Sequence, residues 1–435
     1  MLLKMAIYQR LKGQHSPATW FKEAKLNEAM QWLGRGYLPS RRAWYDFRDR
    51  VGDAVEQLHR QLINRAIEQN LLDPTTGVQD GTFVAACASR HRMVSEQTLH
   101  KRQEQLSAIV NGTNDAAEET PRWVPPTEAG RLDLADRMET AAEILAQRIE
   151  QNQAKPKGKR KDPAKIVVSL TDPIAPLGRD KLKVFRPLYT IQYVVAPDSH
   201  LIMSYGCEAA VGDTGTLAPM IDHTQAIVGG RLKTMLADAA YCTILDLRDC
   251  QERNVELLAP VQANALTAKK KQAKGETQIP HQEFSWNAAE RTYHCPAGHL
   301  LDSRGRERKP RHGGRTLLEH RYECSASHCQ GCPLAKKCLR PGSSHRTIKR
   351  LESQELLDAQ REKMKGEEVQ ARYALRGQTV ERGFADAKGN RRLDRFHGRG
   401  RRRARTETGL LVLAQNILIL DRLEQQALTR SETTT

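Results

Sequence analysis

Aromatic residues are scarce, at 5% of 435 positions, and long apolar runs are missing. No stretch approaches the ~20 apolar residues that cross a bilayer. The opening Met1-Leu2-Leu3-Lys4-Met5 is not followed by an apolar core of signal-peptide length with a small-residue cleavage site. These absences argue against a membrane span or a secretory leader and lead to the expectation of a soluble, cytoplasmic protein. The 14 histidines form no HxxxH pair and no nucleophilic arrangement. Acid of comparable amount to base is lacking too: 69 Lys and Arg stand against 52 Asp and Glu, a net charge of +17. Such a surplus favours a polyanionic partner. Nucleic acid is the better candidate than an anionic membrane, because no long basic amphipathic helix is found.

Cysteine is present in an odd number, nine, and five of these fall between Cys295 and Cys338. In a reducing compartment, metal ligation or burial is the stronger reading than disulfide pairing.

Residues 1–72 read as a helical region. Ser40 leads into Ala43, Trp44, Phe47, Val51, Val55, Leu58, Leu62 and Ala66, spaced at threes and fours. Its arginines leave two readings open, a DNA-binding unit or a helical cap on the core. Residues 73–261 read as the first part of an α/β core. It opens with a strand at Gly77–Cys87 and carries an insertion at about 88–182, where 107–135 is expected to be a polar loop and Leu132–Gln151 a helix. Lys155–Lys161 is a basic linker. Phe185–Ala196 and His200–Cys207 form a hairpin around Asp198-Ser199, Thr216–Val228 a helix, and Leu232–Ala237 a strand ending at Asp238. Ile244–Gln251 reads as helix and Val255–Val261 as strand. Residues 262–350 form a basic, Cys-rich insertion containing Lys269-Lys270-Lys271. Residues 351–430 return to helix: Leu351–Lys365, a long helix through Glu381, and Thr406–Leu428. The order suggests a mixed sheet with helices on its faces.

Phosphodiester cleavage needs an in-line nucleophile and stabilisation of a highly charged transition state, which two divalent metals held by a few carboxylates supply. Mg²⁺ takes hard oxygen ligands and keeps several waters. Two acids on adjacent strand ends plus a third on a facing helix make a minimal holder. Asp80, Asp238 and Glu381 fit in residue type and expected element.

The surrounding text narrows this. Ala237-Asp238-Ala239-Ala240-Tyr241 resembles the second-acid motif of bacterial insertion-sequence DDE transposases, with Ala240 where glycine is usual. Tyr373, Arg376, Glu381 and Lys388 resemble the family's third-acid helix, with an Arg-to-Glu gap one residue longer than usual. The interval of seven between Glu381 and Lys388 spans two helical turns, so both are expected on one face. Val78-Gln79-Asp80-Gly81-Thr82 resembles the family's opening strand. Asp172, in Thr171-Asp172-Pro173, is the rival first acid, and Asp80 is preferred because it sits on a strand.

The resemblance covers about residues 30–420 and implies an RNase H-like mixed sheet flanked by helices. It further implies cleavage at element ends and strand transfer into target DNA, with Mg²⁺ or Mn²⁺ on Asp80, Asp238 and Glu381. Double-stranded DNA would be the partner, met by a homo-oligomer on paired ends in a nucleoid-associated setting. A nuclease without strand transfer and a non-catalytic zinc-containing DNA-binding protein are the rivals.

Cys295, Cys329, Cys332 and Cys338, with Cys324, His299 or His328 as substitutes, have spacing suited to a closed structural Zn²⁺ site. The plainer reading is a set of reduced thiols. The run Arg391, Arg392, Arg395, Arg399, Arg401, Arg402, Arg403 and Arg405 follows the third-acid helix and is expected to contact phosphates, as are Tyr373, Arg376 and Lys388.

Overall fold

The computed structural model describes residues 1–113, 120–155, 157–262, 279–311 and 314–434. The chain forms two compact units, Met1–Ala237 with Arg372–Thr435, and Asp238–Ala371.

The first unit opens with α1 (Leu2–Leu11), α2 (Pro17–Leu26), α3 (Glu28–Leu33), α4 (Arg41–Arg50) and α5 (Gly52–Glu68). Side chains of Ser16, Asn27 and Ser40 accept hydrogen bonds from backbone N–H groups of the helices that follow them, which fixes three of the starts. The apolar stripe from Ala43 to Ala66 is divided between two helices that meet at Val51. A Cβ on Gly52 would stand 2.9 Å from Thr406 Oγ1, so the break lies where another helix approaches closely. That helix is the C-terminal one. Trp20 meets Trp44 edge-on at 5.7 Å, and both share a core with Met5, Met30, Val55 and Leu410. The N-terminal helices thus cap the core.

After them come β1 (Thr76–Ala85), β2 (Met93–Val94), α6 (Glu96–Val110), α7 (Glu128–Gln153), β3 (Val168–Ser169), β4 (Leu177–Arg179), β5 (Phe185–Val195), β6 (Ile202–Glu208), α8 (Leu217–Val228) and β7 (Thr234–Leu236). In this unit β5 pairs antiparallel with β4, β6 and β1, while β1 pairs parallel with β7. β5 is buried along nearly its whole length, as a central strand covered on both faces must be. The insertion after β1 differs from the expected loop. α6 reaches Val110 and α7 starts at Glu128, and Leu99, Leu106, Leu134, Met138, Leu145 and Val168 give it a core of its own. Residues 114–119 of the expected loop lie outside the described residues.

The second unit holds α9 (Ile244–Glu252), β8 (Glu256–Leu258) and an antiparallel sheet of β9 (Ser285–Asn287), β10 (Thr292–His294), β11 (Leu300–Pro310), β12 (Thr316–Cys324) and β13 (Thr347–Leu351). Helices α10 (Ala326–Gln330) and α11 (Ala335–Cys338) lie between β12 and β13, and α12 (Gln354–Lys363) follows. The Cys-rich segment is therefore a folded sheet, and Leu351, expected to start a helix, ends β13 instead. Trp286, Tyr293 and Tyr322 form its aromatic centre, with the Arg350 guanidinium 4.3 Å from the Trp286 ring centre. Lys269–Lys271 lie outside the described residues.

Helix α13 (Glu367–Ala385) carries the chain back into the first unit, which ends in α14 (Arg401–Thr434). Among the described residues no helix is long and apolar enough to cross a membrane.

Candidate active site

Asp80 lies in the middle of β1, opposite Tyr193 of β5. Its Oδ1 accepts the Gly81 N–H at 2.7 Å, and its Oδ2 accepts Arg376 Nη2 at 3.0 Å, with both side chains about four-fifths buried. A Cβ at Gly81 would overlap Gln192 Nε2 and Asp213 Oδ1, which are hydrogen-bonded to each other at 2.7 Å, so a larger residue there would have to push this pair aside. A polar network thus packs against the strand beside Asp80.

Arg376 reaches Asp80 from α13. The same helix buries Val380 and stacks Phe384 on Tyr193 at 4.6 Å, 16° from parallel. Arg372 donates to Thr234 Oγ1 on β7 at 2.9 Å, and Tyr373 is half-buried. Glu381 is exposed, on the flank of the helix rather than on the face that carries Arg376 and Val380.

The expected two-turn alignment of Glu381 with Lys388 is altered. The α-helix stops at Ala385, and Asp386–Asn390 forms a π-helical turn. Such a turn widens the spiral and re-aims the residues beyond it. Lys388 Nζ accordingly donates to Thr82 Oγ1 and the Phe83 carbonyl, both at 2.7 Å. Burial, together with the nearby Lys181 charge, lowers its pKa. Lys388 therefore ties the helix to β1 in this state.

Asp172 is almost wholly buried and accepts hydrogen bonds from Tyr189 Oη at 2.8 Å and the Gly400 N–H at 3.0 Å. Burial raises its pKa, against the lowering effect of these donors. These are the surroundings of a structural anchor between the loop after β3, strand β5 and the start of α14.

Leu236 stands opposite Val78 in the parallel pair. Asp238 is the second residue after Leu236, as Asp80 is the second after Val78. Asp238 begins the second unit, where its Oδ1 accepts the Ala240 N–H at 2.7 Å and caps the short turn Ala239–Tyr241.

The arginine run is largely engaged within the first unit. Arg403 makes two bonds to Asp49, both 2.8 Å; Arg401 binds both carboxylate oxygens of Glu208; Arg405 binds Glu56. Arg395 donates to the carbonyls of Ala86 and Ala88, and Arg391 to Asp386 and the Leu11 carbonyl. Arg392, Arg399 and Arg402 are exposed. Much of the run therefore holds α14 in place, a role that no reading of the local sequence could distinguish from phosphate binding.

In the second unit, Cys295 opens a tight turn. The His299 N–H donates to Cys295 Sγ at 3.3 Å, the Gly298 N–H donates to the Cys295 carbonyl at 2.8 Å, and Gly298 adopts φ +82°. Burial raises the Cys324 pKa, and so do Cys329 and Cys295; burial likewise raises that of Cys338, beside Cys329, Cys295 and Cys332. Cys324 thus lies within electrostatic reach of Cys329 and Cys295, and Cys338 within reach of Cys329, Cys295 and Cys332. The His299 and His328 rings stack at 4.6 Å. Among the described residues, no three His, Cys, Asp or Glu side chains are arranged closely enough to hold a metal ion.

Residues 294–420 match a family described as "Transposase DDE domain". The match begins one residue before Cys295 and takes in the clustered cysteines, Arg376, Glu381, Lys388 and the arginine run, while Asp80, Asp172 and Asp238 lie outside it. No curated protein and no solved structure matches the chain.

Proposed function

From the match of residues 294–420 to a transposase DDE domain, we propose that this chain is a DDE-family transposase that cuts DNA at the ends of an insertion sequence and joins the freed ends to target DNA, using Asp80, Asp238 and Glu381 on an RNase H-like core. The parallel register of β1 and β7, with an aspartate two residues beyond each member of the Val78–Leu236 pair, is the observation that carries this reading. Asp80 within β1, Asp238 just beyond the neighbouring parallel strand β7 and Glu381 on a helix would supply hard oxygens of the kind that Mg²⁺ or Mn²⁺ takes. Bound divalent ions would supply activation of water and stabilisation of the leaving oxygen. The carboxylates would hold those ions; Arg376 and the exposed arginines Arg392, Arg399 and Arg402 would hold phosphates.

The chemistry balances without a covalent protein intermediate. Water attacks the scissile phosphorus, the bond to the 3′-oxygen breaks, and that oxygen leaves as a free hydroxyl. The 3′-hydroxyl then attacks a target phosphodiester, so one P–O bond forms as another breaks. Double-stranded DNA is the substrate, and an oligomer on paired ends in the bacterial nucleoid is the working form. Cys295, Cys329, Cys332 and Cys338, with Cys324 as a substitute, would take structural Zn²⁺ once drawn together, a reading supported by the N–H···S turn at Cys295.

Pre-cut element ends supplied with a target plasmid and Mn²⁺ test the proposal. Joined products are expected from the parent protein and none from Asp238→Ala, which should still bind DNA. Cleavage without joining would make the protein a nuclease. Binding with no metal-dependent cleavage in the parent would make it a DNA-binding protein and end the enzymatic reading.

A further inference from the structure

Strands β11 and β12 run past the sheet that holds them. β10 pairs with β11 only at Leu300 and Leu301, and β13 pairs with β12 only from Glu319 to Glu323. Beyond the Glu307–Glu319 pair the ribbon is therefore two strands wide, with Arg308 opposite Leu318 and Lys309 opposite Leu317. From Asp302 onward, the outer edge of β11 has no strand beside it among the described residues. Asp302–Arg308 is exposed throughout, whereas an antiparallel strand ordinarily packs one face on a core.

Successive residues of a strand point to opposite faces, so the register sorts the charges. Glu307, Lys309, Glu319 and Lys349 share one face. Lys309 Nζ lies 2.6 Å from Glu307 and 3.8 Å from Glu319, and Lys349 Nζ lies 2.9 Å from Glu319. That face neutralises itself. Arg306, Arg308, Leu318 and His320 share the other, on which β11, β12 and β13 place no carboxylate. Arg304 is the extra residue of a bulge between Ser303 and Gly305. Other arginines of this unit are taken up by acids, Arg315 by Asp249, Arg321 by Glu323 and Arg350 by Asp358. Among the described residues, no carboxylate pairs with Arg304, Arg306 or Arg308. The ribbon is therefore cationic on one face only.

We propose that the arginine face of this ribbon docks on double-stranded DNA. Charge complementarity selects a polyanion, and a two-stranded ribbon is one of the shapes that the major groove, ~12 Å wide, admits. Arg306 and Arg308 stand about 6.6 Å apart along the strand, close to the step between successive phosphates of one DNA strand. Guanidinium groups present paired N–H donors that suit phosphate oxygens and guanine edges. The choice of duplex DNA among polyanions rests on the proposed action as a transposase; the charge asymmetry of the ribbon does not. The second unit would then contribute a DNA contact of its own, separate from the arginine run that follows α13.

The test compares the full chain with R306Q/R308Q and with K349Q, which removes a charge from the opposite face of the same sheet. Affinity for a mixed-sequence DNA duplex is measured across salt concentrations, with an RNA duplex of the same sequence as a second probe. Amide hydrogen exchange of Ser303–Arg308 is followed with and without the DNA. R306Q/R308Q should flatten the log–log salt slope by about 1.8 for two lost contacts, and K349Q should leave it unchanged. The Ser303–Arg308 amides should exchange more slowly in the DNA-bound parent. Equal flattening in both variants would reduce the effect to overall charge and overturn the site. An unchanged slope and unchanged exchange in a protein that still cuts DNA would overturn the site and leave the transposase reading standing. A flattened slope and slowed exchange in a parent that never cuts DNA would uphold the site and end the transposase reading. Changes confined to the RNA duplex would overturn the choice of DNA.

Discussion

Arg376 holds Asp80 through a 3.0 Å contact from helix to strand. On the proposed reading of Asp80 as the first acid, a divalent ion there would compete with this guanidinium for the carboxylate. Arg376→Gln is expected to tighten Mn²⁺ binding by roughly fivefold, the ~1 kcal/mol scale of such a pair, while weakening affinity for DNA. Electron paramagnetic resonance of free Mn²⁺ reads the first effect and fluorescence anisotropy the second. Weaker Mn²⁺ binding in the variant would show that the arginine organises the carboxylate rather than guarding it.

Asp172 and Asp238 should fail in different ways. Asp172→Ala leaves the Tyr189 hydroxyl and the Gly400 N–H without their acceptor in a buried place, at a cost of about 1–3 kcal/mol for each stranded group. Its thermal midpoint should drop, while cleavage per folded molecule stays near the parent's. Asp238→Ala should keep its midpoint and lose about a thousandfold in rate, equivalent to ~4 kcal/mol. Thermal unfolding paired with single-turnover cleavage separates the two; an Asp172→Ala that keeps its midpoint but loses cleavage as Asp238→Ala does would make Asp172, not Asp80, the first acid.

Two histidines should make the protein acid-sensitive. Burial lowers His59 to about 4 and, with the Arg10 charge, lowers His15 to about 3. Each is neutral when folded and takes up a proton on unfolding once the pH is below its ordinary value near 6.5. The unfolded state then binds more protons, so stability falls with pH between about 6.5 and 4. Urea melts across that window should show the decline, and His59→Gln should flatten it.

Gly409 sits where α14 passes β6 and α5. A Cβ there would overlap the Tyr205 hydroxyl and stand 3.0 Å from Val55 Cγ1. Gly409→Ala should cost about 1–3 kcal/mol by overpacking, despite the better helix propensity of alanine. A raised melting temperature would show that the helix can shift outward.

For the thiols, native mass spectrometry should find one Zn²⁺ per chain, lost in Cys329→Ser together with several degrees of thermal stability. A metal-free parent would leave the cluster as reduced thiols.

The parts of this fold that could be read from sequence are those whose burial shows as a period. The hairpin of β5 and β6, the helix α8 and the apolar face of α14 all do so. β11 does not: Ser303 to Arg308 is exposed on both faces, so no alternation marks a strand. The π-helical turn at Asp386 has no local signature either, and it was enough to re-aim Lys388. The arginine run was legible as charge but not as structure, because Arg401, Arg403 and Arg405 meet Glu208, Asp49 and Glu56 from far along the chain. Around the candidate site, residue types and elements were legible. The engagement of Asp80 by Arg376 and of Asp172 by Tyr189 was not.

The first unit is written in two instalments, with its last helix encoded after residue 371. Met5, Trp20 and Trp44 bury themselves against one another and Leu410, so during synthesis the face that meets Leu410 waits for more than three hundred further residues to leave the ribosome. A newborn chain must be shielded for that interval, and a message cut short before α14 yields a product that cannot finish its N-terminal core and falls to proteolysis or aggregation.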